Sequence, residues 1–149
     1  MGIVINRPLN IGLGEVLTQM ELEPCNDGIE IMPIYHGGPV QTDRGFVLHH
    51  PESEWNSSIS VSDEICVTTS RDILQSIADG KGPDESLIAL GYAGWGAGQL
   101  EHEIIENSWL NGPADADVIF KTPCNKRWET AAALLGVDLD NLSFDVGHA

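Results

Sequence analysis

Four glycines fall between Gly91 and Gly98, with Tyr92 and Trp95 set among them, and no other stretch of the chain is as densely specified. The apolar run Ser86-Leu87-Ile88-Ala89-Leu90 leads into these glycines, and a helical pattern follows them. Strand, glycines and helix in that order form the setting in which phosphate groups bind, because free backbone N–H groups and the helix dipole meet there. The spacing weakens that reading. Gly94-Trp95-Gly96-Ala97-Gly98 is G-x-G-x-G, not G-x-G-x-x-G, and no Gly-Lys-Ser/Thr follows. Glu101 and Glu103 stand where a bound anion would sit and suit the helix dipole themselves. The glycines equally allow tight packing of backbone against Tyr92 and Trp95.

Other constellations are sparser. On a helix His102 shares a face with Glu106 and with Gln99, but the zincin pattern His-Glu-x-x-His is absent, and two acids around one histidine describe a solvated face better than a metal site. No Gly-x-Ser-x-Gly nucleophile elbow occurs. Cys25, Cys66 and Cys124 are odd in number and far apart, so they indicate reduced thiols; Cys124, at a helix start, is the better placed to react. His36, His49, His50, His102 and His148 pair with no acid at a diagnostic spacing and read as surface or hydrogen-bonded structural residues. Arg7 and Arg44 flank turns in a chain short of cations. If they converge with Asn6, Tyr92 or Trp95, they could hold an anion; pairing with a buried acid is the equal alternative. The candidate ligand-binding set is therefore Asn6, Arg7, Arg44, Tyr92, Trp95, Gln99 and Glu101. No catalytic residue, metal ligand or cofactor is assigned.

These residues need elements to place them. Gly2–Asn6 reads as a strand apolar on both faces, hence central in a sheet, and Pro8 closes it. A short helix is predicted over Gly12–Met20, with Leu13, Val16, Leu17 and Met20 as its stripe. Pro24–Gly28 is a turn, and Ile29–Tyr35 an edge or bulged strand interrupted by Pro33. His36–Val40 is a tight reversal, Gly45–His49 a strand, and 57–61 with 65–69 a hairpin turning at Ser62-Asp63-Glu64. Thr69 and Asp72 fit a capping box for a helix carrying Ile73, Leu74, Ile77 and Ala78, stopped by Gly80. Strand 86–91 follows, then a helix from Ala97 to about Asn107 with Leu100, Ile104 and Ile105 inward, and a short extended piece at Trp109-Leu110. Asp117–Phe120 reads as a strand, and Asn125–Leu135 as a helix with Trp128, Ala131, Ala132 and Leu135 as its stripe. Leu142–Asp145 reads as an extended tail. Early hairpins with later helices indicate an α+β fold, with a mixed or mainly antiparallel sheet, barrel-like closure as an open alternative, and about four helices in a single domain over residues 1–149.

Composition narrows the function classes. Asp plus Glu number 23 against 7 Lys plus Arg, a formal net charge of −16, and the seven cations are scattered. Nucleic-acid binding needs clustered cations to neutralise phosphates, so direct contact with DNA or RNA is not expected, nor is an anionic membrane surface. There is no apolar run long enough to span a membrane and no signal-peptide pattern at Met1–Pro8, so a cytoplasmic protein is expected.

Several motifs together are similar to a known family. Gly2-Ile3-Val4-Ile5-Asn6-Arg7-Pro8, Gly37-Gly38-Pro39-Val40, Arg44-Gly45-Phe46-Val47-Leu48-His49, the Leu90–Glu101 stretch, Asn107-Ser108-Trp109-Leu110 and Asp145-Val146-Gly147-His148-Ala149 resemble the YqgE/AlgH family of bacterial proteins, in the family's order. The resemblance implies an α+β fold and no established activity, cofactor or catalytic residue; some members carry the label of transcriptional regulator. It also implies a family segment, with an early strand, ahead of Gly2. Without that strand an apolar sheet edge would be open to pairing with a second copy. Two readings follow. One is a cytosolic, non-enzymatic binding or regulatory protein acting through a protein or small-molecule partner, with regulation indirect because of the charge. The other is an enzyme, a hydrolase or transferase, with a cleft beside the Gly91–Gly98 loop.

Overall fold

The computed structural model describes residues 1–52 and 55–137. Its elements in chain order are β1 (Pro8–Gly12), α1 (Leu13–Gln19), α2 (Asp27–Glu30), β2 (Pro33–His36), β3 (Val40–His49), β4 (Ser58–Ser60), β5 (Cys66–Thr68), α3 (Arg71–Ala78), β6 (Ser86–Tyr92), α4 (Gln99–Ile105), α5 (Ala116–Phe120), a 3₁₀ turn (Cys124–Lys126) and α6 (Arg127–Leu134). The strands make one mixed sheet in the order β1-β2-β6-β3-β5-β4, which does not close into a barrel. Only β2 and β6 pair in parallel among the described residues. Among the described residues there are six α-helices, four of them of seven residues or more. The α+β expectation holds, and the predicted tail at Leu142–Asp145 lies outside the described residues.

Alternation along the strands splits the core between the two faces of the sheet, because successive side chains point to opposite sides. Ile34, Val47 and Ile88 face Leu13 and Leu17 of α1 and Ile73, Leu74 and Ile77 of α3. Tyr35, Phe46, Leu48, Leu87 and Ala89 face the other way, toward Ile119 of α5, with Ile3, Ile5 and Cys124 packed alongside. The predicted stripe of α3 is buried in full, and that of α1 at Leu13 and Leu17.

Several elements depart from the sequence reading. Ile29–Tyr35 is not one edge strand: Ile29 and Glu30 belong to helix α2, capped by the Asn26 side chain, and β2 begins only at Pro33 and lies inside the sheet between β1 and β6. Gly2–Asn6 is not a central strand. It makes one bridge, Gly2 with Ala93, and one bond from Val4 N–H to the Gly37 carbonyl, while Ile3 and Ile5 lie on the second core cluster. Its β-branched Ile3 and Ile5 are half-buried by packing on the sheet's second core cluster, which sequence pattern alone cannot tell from pairing within the sheet. The strand starts where the reading ended it. Pro8 opens edge strand β1, where a missing N–H leaves no ladder bond unmade. Asp117–Phe120 belongs to helix α5. The Asp115 side chain accepts from Val118 N–H at 3.0 Å and caps it, and Val118 and Ile119 are buried from the helix. In α6 the inward residue is Arg127, while Trp128 is half exposed and only Ala132 of the predicted stripe is buried.

Helix α3 is capped differently too. Its N-cap is Ser70, whose hydroxyl donates to Asp72, and Asp72 accepts from the Asn56 and Ile73 N–H groups. Thr69 does not cap it. The hairpin expected at 57–69 is present as β4 and β5, with Val61 N–H donating to the Ile65 carbonyl across the turn.

The segment Gly37-Gly38-Pro39 reverses the chain but is no hairpin. β2 and β3 lie on opposite sides of β6, so these three residues step across β6 itself, between the His36–Leu90 and Val40–Tyr92 pairs. Gly37 N–H donates to the Leu90 carbonyl on the way. A Cβ on Gly38 would lie 2.0 Å from the Tyr92 carbonyl carbon, and one on Gly91 would lie 2.4 Å from the Gly38 oxygen. Gly91 also sits at φ +78°, which side-chain-bearing residues rarely adopt. The two glycine motifs of the sequence are thus one feature, a backbone-on-backbone crossing.

Candidate functional site

The chain leaves the crossing at Tyr92, bridges Gly2 at Ala93, and turns through Gly94–Gly98 into α4, with Gly98 in the left-handed region at φ 77° as the N-cap. Here Glu103, one turn into α4, collects the local polar groups. The indole N–H groups of Trp95 and Trp109 both donate to its Oε2, at 3.1 and 2.7 Å, and Gln99 Nε2 donates to Oε1 at 3.1 Å. Gln99 in turn accepts from Gly96 N–H at 3.0 Å, so the glycine loop is tied to the helix. The two indoles meet edge to face with centroids 5.9 Å apart. The Trp109 indole is the largest influence on the Glu103 carboxyl; against a smaller desolvation cost, it holds the carboxyl below its ordinary value together with Gln99, Trp95 and His102. A carboxylate so occupied is a poor proton acceptor, since a general base works best near the ambient pH with a free lone pair. The cluster fixes two aromatic rings in place.

The predicted site residues separate into groups. Trp95 and Gln99 belong to the Glu103 cluster. Tyr92 is half-buried, edge to face with Phe46 at 5.8 Å, and the Arg44 guanidinium carbon stands 5.5 Å from the Phe46 centroid, so Arg44 and Tyr92 share one aromatic neighbour. Arg44 also donates to Gln41 Oε1 at 3.4 Å, and no acid pairs with it among the described residues. Asn6 and Arg7 are exposed beside β1 and β2, where the Arg7 carbonyl accepts from His36 N–H. Glu101 is exposed on α4. The sequence reading missed Glu103 and Trp109 as members of the cluster. Their signals were available in the i,i+4 spacing of Gln99 and Glu103 and in a second tryptophan just past the helix end.

Two further places carry polar chemistry. His49 is fully buried on β3: its Nδ1 lies 2.7 Å from the His50 carbonyl and its Nε2 2.6 Å from Thr68 Oγ1, which is itself 2.7 Å from Ser58 Oγ. Both ring nitrogens are therefore satisfied, as expected of a structural histidine. At the opposite end of β6 from the glycine loop, around Ser86, lies a cavity of about 500 Å³ between α2, the end of α3 and the end of α5. None of the seven predicted site residues lines it. Cys25 is exposed, Cys66 buried and Cys124 half-buried against the second core cluster, and none of the three is in a disulfide.

No helix among the described residues is long and apolar enough to cross a membrane. Comparison with known proteins adds the following. The chain is 54% identical to a UPF0301 protein of Nitrosococcus oceani over 149 residues, all of this chain and 80% of that protein. It is 58% identical to a UPF0301 protein of Thioalkalivibrio sulfidiphilus, with the same coverage. The solution structure of the AlgH protein from Pseudomonas aeruginosa superposes with a TM-score of 0.80 at 49% identity, covering 100% of this chain and 79% of that one. A family model described as "DUF179: AlgH-like" matches residues 1–140, and the chain belongs to that AlgH-like family.

Proposed function

We propose that this is a cytosolic, non-enzymatic binding protein that acts through a protein partner, and that α4 with Trp109 forms the docking surface. The observation that carries the reading is that α4 fully buries none of its residues: Leu100 and Ile104 are only half-buried and Ile105, expected to face inward, is exposed. A helix of a globular protein ordinarily hides an apolar stripe, yet Ile105 is 78% exposed, and the neighbouring Leu110 and Trp109 are 50% and 38% exposed. A hydrogen bond from the Trp109 indole to Glu103 orients the ring, which lowers the entropy cost of using it as an anchor.

Charge specifies the partner. On and just after α4 stand Glu101, Glu103 and Glu106, and from Gly82 to Phe120 the chain has no lysine or arginine. A lysine- or arginine-rich segment with apolar anchors complements such a surface, whereas a second copy, at −16, is repelled. Any regulatory role is then indirect, through that partner and not through DNA.

The test is an NMR titration with a short amphipathic Lys/Leu peptide, following the indole N–H signals of Trp95 and Trp109. Saturable shifts that weaken with salt and disappear in Ile105→Asp support the reading. Silent indole signals, or retarded duplex DNA in a gel shift at low salt, sink it.

A further inference from the structure

The cavity at the Ser86 end of β6 has a chemical bias of its own. Its lining includes Asp84, which is exposed, and Glu85, which is half-buried, together with the apolar Ile29, Met32 and Phe120. Ile77 and Gly80 contribute the C-terminal end of α3, the negative end of its dipole. No lysine or arginine lines the space. Asp84 makes no hydrogen bond or ion pair among the described residues. Glu85 has only His50, whose Nε2 lies 3.7 Å from its Oε1. His50 also packs its ring against Phe120 at 4.7 Å between centroids. Two carboxylates, a helix C-terminus and an aromatic face all favour positive charge, and the apolar wall favours a hydrocarbon body. At about 500 Å³ the space is in the range of small-molecule sites.

We propose that this cavity binds a small amphipathic cation, an ammonium group carried on a hydrocarbon or aromatic body. The ammonium lies between Asp84 and Glu85, and the body lies against Met32 and Phe120. The site is separate from α4, so failure of the docking surface leaves it standing, and the reverse.

The experiment titrates the whole chain with phenethylamine and, in parallel, with phenylacetate, which has a similar body and the opposite charge. Binding is read by amide NMR shifts. Saturable binding of the amine, with a Kd below about 10 mM and shifts centred on Met32, Ser86 and Phe120, is expected, with no saturable binding of the acid. Asp84→Asn with Glu85→Gln should weaken the amine by about tenfold or more. Glu101→Gln with Glu106→Gln, which removes the same charge from α4, should leave it within about twofold. The proposal is overturned if the amine does not saturate, if the acid binds as well, or if the α4 pair weakens binding as much as the cavity pair. The comparison of amine with acid needs no variant and stands whether or not the substituted chains fold.

Discussion

At the scale of single residues, Glu103 decides what the α4 region is. Three side-chain donors converge on its carboxylate, and each favours the charged form. A carboxyl whose folded value is depressed stabilises the fold at pH above the ordinary glutamate value, about 4.3. That contribution fades as the pH falls through the lower folded value, because protonation removes the acceptor. Asp72 behaves in the same direction: desolvation raises it, but bonds from the Ser70 hydroxyl and the Asn56 and Ile73 N–H groups leave it below the ordinary aspartate value. Glu103→Gln should therefore lower Tm at neutral pH and converge with the wild type in acid below the depressed value. Near-UV circular dichroism should report Trp95 and Trp109 loosening together. If the Tm gap is the same at every pH, hydrogen bonding to the charged form is not what Glu103 supplies.

At the scale of elements, the crossing of β6 by Gly37-Gly38-Pro39 is the most restrictive feature of the fold. A methyl at Gly38 would meet backbone atoms of Tyr92 and Ala93, which cannot rotate away as a side-chain end can. Gly38→Ala should cost more than about 3 kcal/mol, or prevent folding. Gly45, in the middle of β3, is the natural contrast. A Cβ there meets nothing within 4 Å, and its φ lies outside the left-handed region. Gly45→Ala should be neutral or stabilise by about 0.5 kcal/mol, since glycine in a strand carries excess unfolded-state entropy. Urea unfolding midpoints of the two variants measure the difference. Equal midpoints would mean that the crossing yields more readily than the backbone contacts indicate.

At the scale of the whole molecule, Arg127 joins parts that are far apart in sequence. It is buried, and among the described residues it has no carboxylate partner. Its guanidinium donates to the Ile5 carbonyl, to the Thr122 carbonyl at 3.2 Å and toward the Tyr35 hydroxyl at 3.4 Å, with its carbon 4.9 Å from the Tyr35 ring centroid. The N-terminal segment, β2 and α6 are thereby held together by one planar group. A lysine ammonium cannot reach these acceptors in the same fork or stack on the ring. Arg127→Lys should cost about 1–3 kcal/mol and speed amide exchange at Val4, whose N–H bonds the Gly37 carbonyl. Unchanged exchange at Val4 would show that Ile5 is held by its packing alone.

The sequence by itself determined whatever depends on neighbours in the chain. The helices at Leu13–Gln19, Arg71–Ala78 and Gln99–Ile105, the β4–β5 hairpin and the strands at 45–49 and 86–91 were legible, because apolar spacing and turn chemistry act within a few residues. So were the α+β class, the charge and the family motifs. The inward stripe expected of α4 was not, since Leu100 and Ile104 are only half-buried and Ile105 is exposed. Tertiary structure alone decided the rest. The β-branched residues of Gly2–Asn6 gave no sign that they would lie on the sheet and not within it. Val118 and Ile119 read as strand until Asp115 capped a helix around them. Arg127, a surface residue by type, turned inward to satisfy carbonyls that no helical wheel reveals. The Gly91–Gly98 stretch first read as a phosphate cradle. Its first glycine is there because the chain crosses β6 at that point, and its Trp95 is held by a carboxylate eight residues on. Contacts of that kind are set by how distant segments meet, and a one-dimensional pattern does not encode where they meet.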